Sequence, residues 1–421
     1  MKVADVIRTV TDGTPSIRFS AYDGSAFGPA GSPYEMRLNN ERGLRYLLTA
    51  FGDLGLARAY VAGDLDLVGV HPGDPYPAIR AVAGTSLRRP SAAEAAALVR
   101  GLGWRRFVPP SPPSQEAPAP WRRRLEGFRH SRARDADAIE QHYDVSNSFY
   151  EKVLGPSMAY TCAVYSKPEN SLEEAQEAKF DLVARKLGLE PGMRLLDVGC
   201  GWGGMARHAA RHYGARVTAV TLSERQSDWA REAVERDGLS DRVTVLHADY
   251  RDSPGHHYDA VSSIGLLEHV GVRNYGSYFA FLKGRLREGG RLLNHCITRP
   301  DNRSRALSGA FIDRYVFPDG EITGLGRIIT EAQDAGLEVR HAENLREHYA
   351  LTLRAWNANL VQSWDACVAD VGEGTARVWG LYMAGSRMSF EDNDLQLHQV
   401  LAVNVGRSGD ASFPLRPTWE V

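Results

Sequence analysis

The chain has 421 residues, a net charge of -2, and ordinary shares of hydrophobic (43%) and charged (24%) residues, a balance that describes a soluble globular protein of two or three domains. So small a net charge provides no global field to select nucleic acid or an anionic membrane, and any such preference must come from local patches. Four scattered cysteines without a C-x-x-C pair argue against a zinc site or a disulfide framework and fit a reducing cytoplasm; no run of about 18 apolar residues spans a bilayer, and MKVADVIRTVTDG lacks the pattern of a secretory signal.

In chain order, the first 107 residues hold a turn-rich GDLDLVGVHPGDPYP and a helix-like AAEAAALVRGLG, and are expected to form a small, mostly helical N-terminal domain. VPPSPPSQEAPAP, 108–120, is too rich in proline for helix or strand. It opens a Pro/Arg-rich linker expected over 108–135. WRRRLEGFRHSRAR, 121–134, and Trp104 to Phe107 just upstream combine arginines with aromatic anchors. Each basic group near an anionic bilayer contributes about 1 kcal/mol, so this run is expected to dock on a membrane surface; nothing around it resembles an RNA-binding module, and no nucleic-acid partner is expected.

Residues 136–421 are expected to form one larger domain with an insertion at 301–334. Helix-like SLEEAQEAKFDLVARKLG leads to strand-like MRLLDV, and GMARHAARHYG to RVTAVTL. ERQSDWAREAVERDG, RVTVLHA, YDAVSSIGLL, a helix through YGSYFAFLKGRLREG and GRLLNHCI continue the alternation. Strands separated by helices of about 10–15 residues imply an α/β, doubly wound parallel sheet. LTLRAWNANLVQSWDACVADV has helical periodicity, and QLHQVLAVNV reads as a last strand.

LLDVGCGWGG, 195–204, places Gly199, Gly201 and Gly204 in G-x-G-x-x-G spacing between a strand and a helix. Such a turn serves a dinucleotide, whose pyrophosphate sits on the helix N-terminus, or S-adenosylmethionine, which has no phosphate. Asp197 favours the second, because a carboxylate there accepts from the ammonium of methionine but repels a pyrophosphate. Asp249 in HADY is a candidate acceptor for the adenine amino group. No acid ends the second strand, and Thr221, Ser223 and Gln226 are neutral substitutes for ribose binding. Glu268 raises a separate question. It ends the apolar run YDAVSSIGLL, where burying a lone charge costs several kcal/mol. A solvated loop residue, a structural acceptor and a member of a chemical site all remain open for it.

Together LLDVGCGWGG, VTAVTLSERQ, LLEHVG and RYVFPDG resemble the cyclopropane fatty acid synthases, S-adenosylmethionine-dependent enzymes acting on unsaturated acyl chains of membrane phospholipids. The resemblance begins near QHYDVSNSFYEKVLG and runs to the C-terminus. It implies a class I methyltransferase fold, Rossmann-like with a terminal antiparallel strand, and a cytoplasmic enzyme peripheral to the inner face of the membrane. TLS-x-x-Q is the family's own variant after the second strand, adding Leu222. The resemblance also implies cofactor contacts from Tyr160, Thr161 and Tyr250, and a bound bicarbonate held by Cys162, Glu268, His295, the amide of Ile297, and Tyr349. No metal is implied. Family members are often dimers, which makes a homodimer an expectation. Ser386 stands where many members carry a cysteine, and His398 where a tryptophan is common.

Methyl transfer to a cis alkene leaves a carbocation that water would quench, so the pocket must be dry. Aromatic faces stabilise such a cation without attacking it, and Tyr160, Tyr165, Tyr315, Phe317 and Trp356 are candidate lining residues. Bicarbonate then serves as the exchangeable base. Residues 311–356 resemble the actinobacterial members linked to 10-methyl lipids, which implies a 10-methylene product passed to a separate reductase; closure to a cyclopropane is the alternative. The rivals from other classes are a small-metabolite methyltransferase, an NAD-dependent oxidoreductase and a non-catalytic lipid-binding protein.

Overall fold

The computed structural model describes residues 1–13, 15–50, 52–118, 146–304 and 309–419. The arginine- and aromatic-rich run at 121–134 therefore lies outside the described residues. The chain divides into two compact units.

The first unit comprises residues 1–119, 309–316 and 356–388. Five helices, Val3–Val10, Glu41–Thr49, Asp53–Val61, Tyr76–Ala83 and Ala92–Leu102, predominate in its N-terminal part. A four-stranded sheet, whose two central strands are Arg18–Ala21 and Glu35–Leu38, accompanies them. Its strands are two to four residues long, too short to show a period of two in sequence. The linker expectation is corrected over its described part. Tyr46 donates its hydroxyl to Ser111 O at 2.5 Å, and Glu116 is buried between Arg58, at 2.6 Å, and Arg314. Proline blocks regular structure but not docking, and a buried carboxylate flanked by two guanidiniums fixes a segment without helix or strand. The catalytic domain is likewise not continuous over 136–421, since 309–316 and 356–388 count with the first unit. Tyr315, whose hydroxyl reaches Glu116 at 3.2 Å, and Trp356 belong there too.

The second unit is a seven-stranded sheet flanked by helices. In chain order its strands are β1 (Arg194–Val198), β2 (Arg216–Thr221), β3 (Val243–His247), β4 (Tyr258–Ile264), β5 (Leu286–Thr298), β6 (Glu338–Asn344) and β7 (Gln396–Val403). They lie in the order β6-β7-β5-β4-β1-β2-β3. Pairings from β5 through β3 are parallel, while β7 runs antiparallel between β5 and β6. The helices that matter to the site are α1 (Leu172–Leu187), α2 (Gly204–Tyr213) and α3 (Glu224–Arg236). Ser171 begins α1 with a capping box, accepting from Glu174 N–H while the Glu174 side chain accepts from Ser171 N–H, which satisfies two otherwise orphaned donors. The central strands are apolar on both faces: Leu195, Leu196, Val198, Ala260 and Val261 are all fully buried, as a sheet covered by helices on both sides requires. The strand order reverses at β1 and β4, and in such sheets the crevice outside the carboxyl ends at this switch is where ligands bind.

Candidate functional site

A crevice of ≈ 910 Å³, counting its open mouth, lies at the ends of β1, β2 and β4. The loop after β1 is pinned to β2, because Gly199 N–H and Cys200 N–H both donate to Val220 O at 2.9 Å. Gly201 has φ +55°, and a Cβ on it would meet only Gln226 Nε2, at 4.0 Å, so the backbone is bare toward the crevice. Gly204 opens α2, and a Cβ there would lie 2.6 Å from Phe180 Cζ; only glycine allows α1 and α2 to approach so closely.

Asp197, Gly199 and Gly201 line this crevice, as do Tyr160 and Thr161. Thr221, Leu222 and Gln226 form a further wall, with Tyr250 beside them. Thr221 Oγ1 holds Gln226 Oε1 at 2.9 Å, and Ser223 caps α3 by accepting from Gln226 N–H. Asp197 Oδ1 accepts from Ser262 Oγ at 2.7 Å across β1 and β4. Its Oδ2 is buried without a hydrogen-bond partner among the described residues. Burial pushes this carboxyl up to about 6, against the pull of Ser262 and Lys179. A buried anionic oxygen without a donor, on the wall of a crevice, suits a cationic group such as the ammonium of a bound amino acid. Asp249 departs from expectation. Ala248 and Tyr250 line the crevice but Asp249 does not, and its carboxylate accepts from Arg251 N–H and Nε–H at 2.9 and 2.7 Å. The Asp249 carboxylate is thus engaged by a cation two residues on.

Behind the crevice, backbone hydrogen bonds link the segments that carry four of the five expected anion-site residues, around the ends of β4, β5 and β7. Gly265, on the crevice wall, donates its N–H to His295 O at 2.8 Å. Ile297 lies opposite Leu397; Leu397 O accepts from Leu345 N–H at 2.8 Å, and Leu345 O accepts from Tyr349 N–H at 3.3 Å. The buried Cys162 thiol has Ala163 O at 3.2 Å and Leu345 O at 3.8 Å. Its pKa is raised by burial, so it stays a weak S–H donor. Tyr349 is buried with its ring against Phe390, centroids 4.6 Å apart. None of the five lines the crevice; Cys162 follows Thr161 and Glu268 precedes His269, both of which do.

Glu268 Oε1 accepts from Ile297 N–H at 2.7 Å. That amide, expected to be free for an anion, is therefore taken by the carboxylate itself. Glu268 Oε2 is buried without a partner among the described residues, and burial drives the carboxyl up to about 7, despite the Ile297 amide. His295 is the complementary donor. Buried Lys186 pairs with Glu343 and donates to Gln399 Oε1 at 2.7 Å. An ammonium can only donate, so the Gln399 amide oxygen faces Lys186 and its NH2 faces His295 Nδ1 at 3.2 Å. Nδ1 thus accepts, and the proton resides on Nε2. Burial holds the ring well below its ordinary pKa, so it is neutral. Its Nε2–H is buried with no protein acceptor among the described residues.

Sequence reasoning missed Lys179, Phe180 and His269, which also line the crevice, and Lys186 and Gln399 behind it. A signal existed for the lysines. Leu172, Lys179 and Lys186 repeat at seven-residue spacing on α1, with buried Gln176 and Val183 between them, so both lysines fall on the apolar stripe.

The sequence profile of the mycolic acid cyclopropane synthetase family matches residues 130–400. The probable fatty acid methyltransferase Rv3720 of Mycobacterium tuberculosis is 57% identical over 422 residues, covering 100% of this chain and 99% of that one. The cyclopropane-fatty-acyl-phospholipid synthase of Escherichia coli K12 is 36% identical over 262 residues, 62% of this chain and 66% of that one. Among solved structures, mycolic acid cyclopropane synthase CmaA1 complexed with SAH and CTAB is similar with a TM-score of 0.60 and 30% identity, over 63% of this chain and 97% of that one. Cyclopropane synthase MmaA2 from Mycobacterium tuberculosis also gives 0.60, at 29% identity and the same coverage. With this match, and with the glycine turn and Asp197 at a class I switch-point crevice, the chain belongs to the mycolic acid cyclopropane synthetase family as an S-adenosylmethionine-dependent methyltransferase.

Proposed function

We propose that this enzyme methylates the cis double bond of an unsaturated, oleoyl-like acyl chain in membrane phospholipid, and that a bicarbonate ion beside the crevice takes the proton that leaves, giving a 10-methylene branched chain. The observation that carries the reading is the pair of buried, unpartnered atoms Glu268 Oε2 and His295 Nε2–H, an acceptor and a donor behind the cofactor crevice. A protein interior rarely leaves such atoms unmatched, and a hydrogen carbonate ion offers both a hydroxyl to donate and oxygens to accept.

S-adenosylmethionine supplies an electrophilic methyl, and bicarbonate an exchangeable base that spares any fixed carboxylate from alkylation. The chain's own residues do the rest. Asp197 orients the cofactor's ammonium. The rings of Tyr160 and Phe317, nearly parallel with centroids 6.3 Å apart, present faces that stabilise a developing cation without attacking it. Glu268 accepts from the anion's hydroxyl, while His295 donates from Nε2 and the Cys162 thiol assists. The names of the relatives support an acyl substrate, and the 57%-identical relative is named a fatty acid methyltransferase rather than a cyclopropane synthase, which favours the methylene outcome over ring closure. A methylene product requires a separate reductase to become a methyl branch. Docking on the inner face of the membrane is supported by Trp104, 67% exposed beside Arg105 and Arg106; among the described residues no helix is long and apolar enough to cross a membrane.

The test is an assay on oleoyl phospholipid vesicles in buffer stripped of carbon dioxide. Turnover falls and returns when bicarbonate is added; turnover that ignores bicarbonate contradicts the anion site.

A further inference from the structure

We infer that Lys179 is the receptor for the α-carboxylate of S-adenosylmethionine, so that Asp197 and Lys179 together read the cofactor's amino-acid end as a zwitterion. Lys179 is fully buried yet lines the crevice. Of its three donors, one goes to Thr161 Oγ1 at 2.9 Å, and the ammonium lies 4.0 Å from the Phe180 ring centroid. Thr161 lines the same crevice.

The contrast with Lys186 carries the argument. Both are buried lysines on the inner stripe of α1, two turns apart. Lys186 has a carboxylate partner, Glu343, and a second acceptor, Gln399. Lys179 has neither; its hydrogen bonding among the described residues ends at one hydroxyl. A buried ammonium without a counter-ion is strongly disfavoured, and burial lowers its pKa to about 7 even with Asp197 nearby to raise it. The crevice is thus missing an anion at Lys179 and a cation at Asp197 Oδ2. An α-amino acid supplies both.

The experiment compares S-adenosylhomocysteine with its decarboxylated analogue, S-adenosyl-3-thiopropylamine, by calorimetry on the full chain and on K179M and K179Q. The two ligands share nucleoside, thioether and ammonium and differ by the carboxylate alone. The wild type is expected to prefer S-adenosylhomocysteine by about 10- to 100-fold, the range of a buried charge-assisted hydrogen bond. In the variants that preference collapses toward unity, while affinity for the decarboxylated ligand stays within a few-fold. Equal binding of both ligands by the wild type overturns the inference without any variant. So does a preference that survives K179M or K179Q, or a variant that weakens both ligands alike.

Discussion

Replacing Glu268 by Gln should make the protein more stable and nearly inactive, and the stability gain should depend on pH in a calculable way. The carboxyl, ordinarily at 4.5, is pushed by burial to about 7. At 1.36 kcal/mol per pH unit, ionising it in the folded chain costs about 3 kcal/mol more than in the unfolded one. Below pH 4.5 both states are protonated and no penalty exists. Between 4.5 and 7 the folded state holds the proton that the unfolded state has lost, so stability falls as pH rises, and above 7 the full penalty stands. Glutamine has the same shape, keeps an oxygen for the Ile297 amide and does not ionise. The stability difference between variant and parent should therefore widen by about 2–3 kcal/mol from pH 5 to pH 8. At roughly 2.1 cal/mol/K of unfolding entropy per residue, that is about 2–3 °C in a chain of 421 residues. Calorimetric scans of both proteins at the two pH values measure it. Turnover on oleoyl vesicles should fall about 100- to 1000-fold, as for other preorganised polar contacts, with S-adenosylhomocysteine affinity retained because Glu268 does not line the crevice. A melting-temperature gap that ignores pH, or wild-type turnover, refutes the reasoning.

Two further substitutions probe other parts of the site. Asp197→Asn exchanges the unpartnered Oδ2 for a neutral amide, and should weaken S-adenosylhomocysteine binding about 10- to 100-fold by calorimetry with the fold retained; unchanged affinity would remove Asp197 from the cofactor site. Gln399→Leu deletes the donor to His295 Nδ1, so nitrogen NMR of labelled histidine should show the Nε2–H tautomer losing its dominance while turnover falls about 10-fold or more; an unaltered tautomer would mean that something other than Gln399 sets it.

Much of the catalytic unit was legible because its signals are local. Alternating strands and helices announced the sheet, and β1 and α2 flank the glycine turn as its spacing demands. β7 reads as a strand from its own apolar run, while its antiparallel direction comes through the family resemblance. The N-terminal sheet was hidden because strands of two to four residues carry no period. Residues 108–118 read as linker because proline density reports the absence of regular structure, not the absence of packing, and the double ion pair at Glu116 joins residues far apart in sequence. At the site, LLDVGCGWGG fixed Asp197 and its glycines, but HADY could not show that Arg251 claims Asp249. Nor could LLEHVG and LLNHCI show that Glu268 occupies the Ile297 amide, since that contact depends on how the short helix Leu267–Val270 sits beside β5. Lys179 and Lys186 escaped because lysine is read as solvated by default, although their spacing already placed them inward. His398 needed the structure as well: it is buried and bonded to Thr298 Oγ1 at 2.7 Å, a partner visible only once β5 and β7 are paired.

The central claim is methyl transfer to an acyl double bond, and isotope labelling tests it most directly. Purified enzyme is incubated with oleoyl phospholipid vesicles and S-adenosylmethionine bearing a deuterated methyl, and the extracted acyl chains are fragmented in a mass spectrometer. The account predicts chains one methylene heavier, with the label at the former double bond and an exocyclic methylene retaining part of the deuterium. Labelled cyclopropane would keep the transfer and overturn the product, whereas unlabelled acyl chains alongside methylation of some soluble compound would contradict the account.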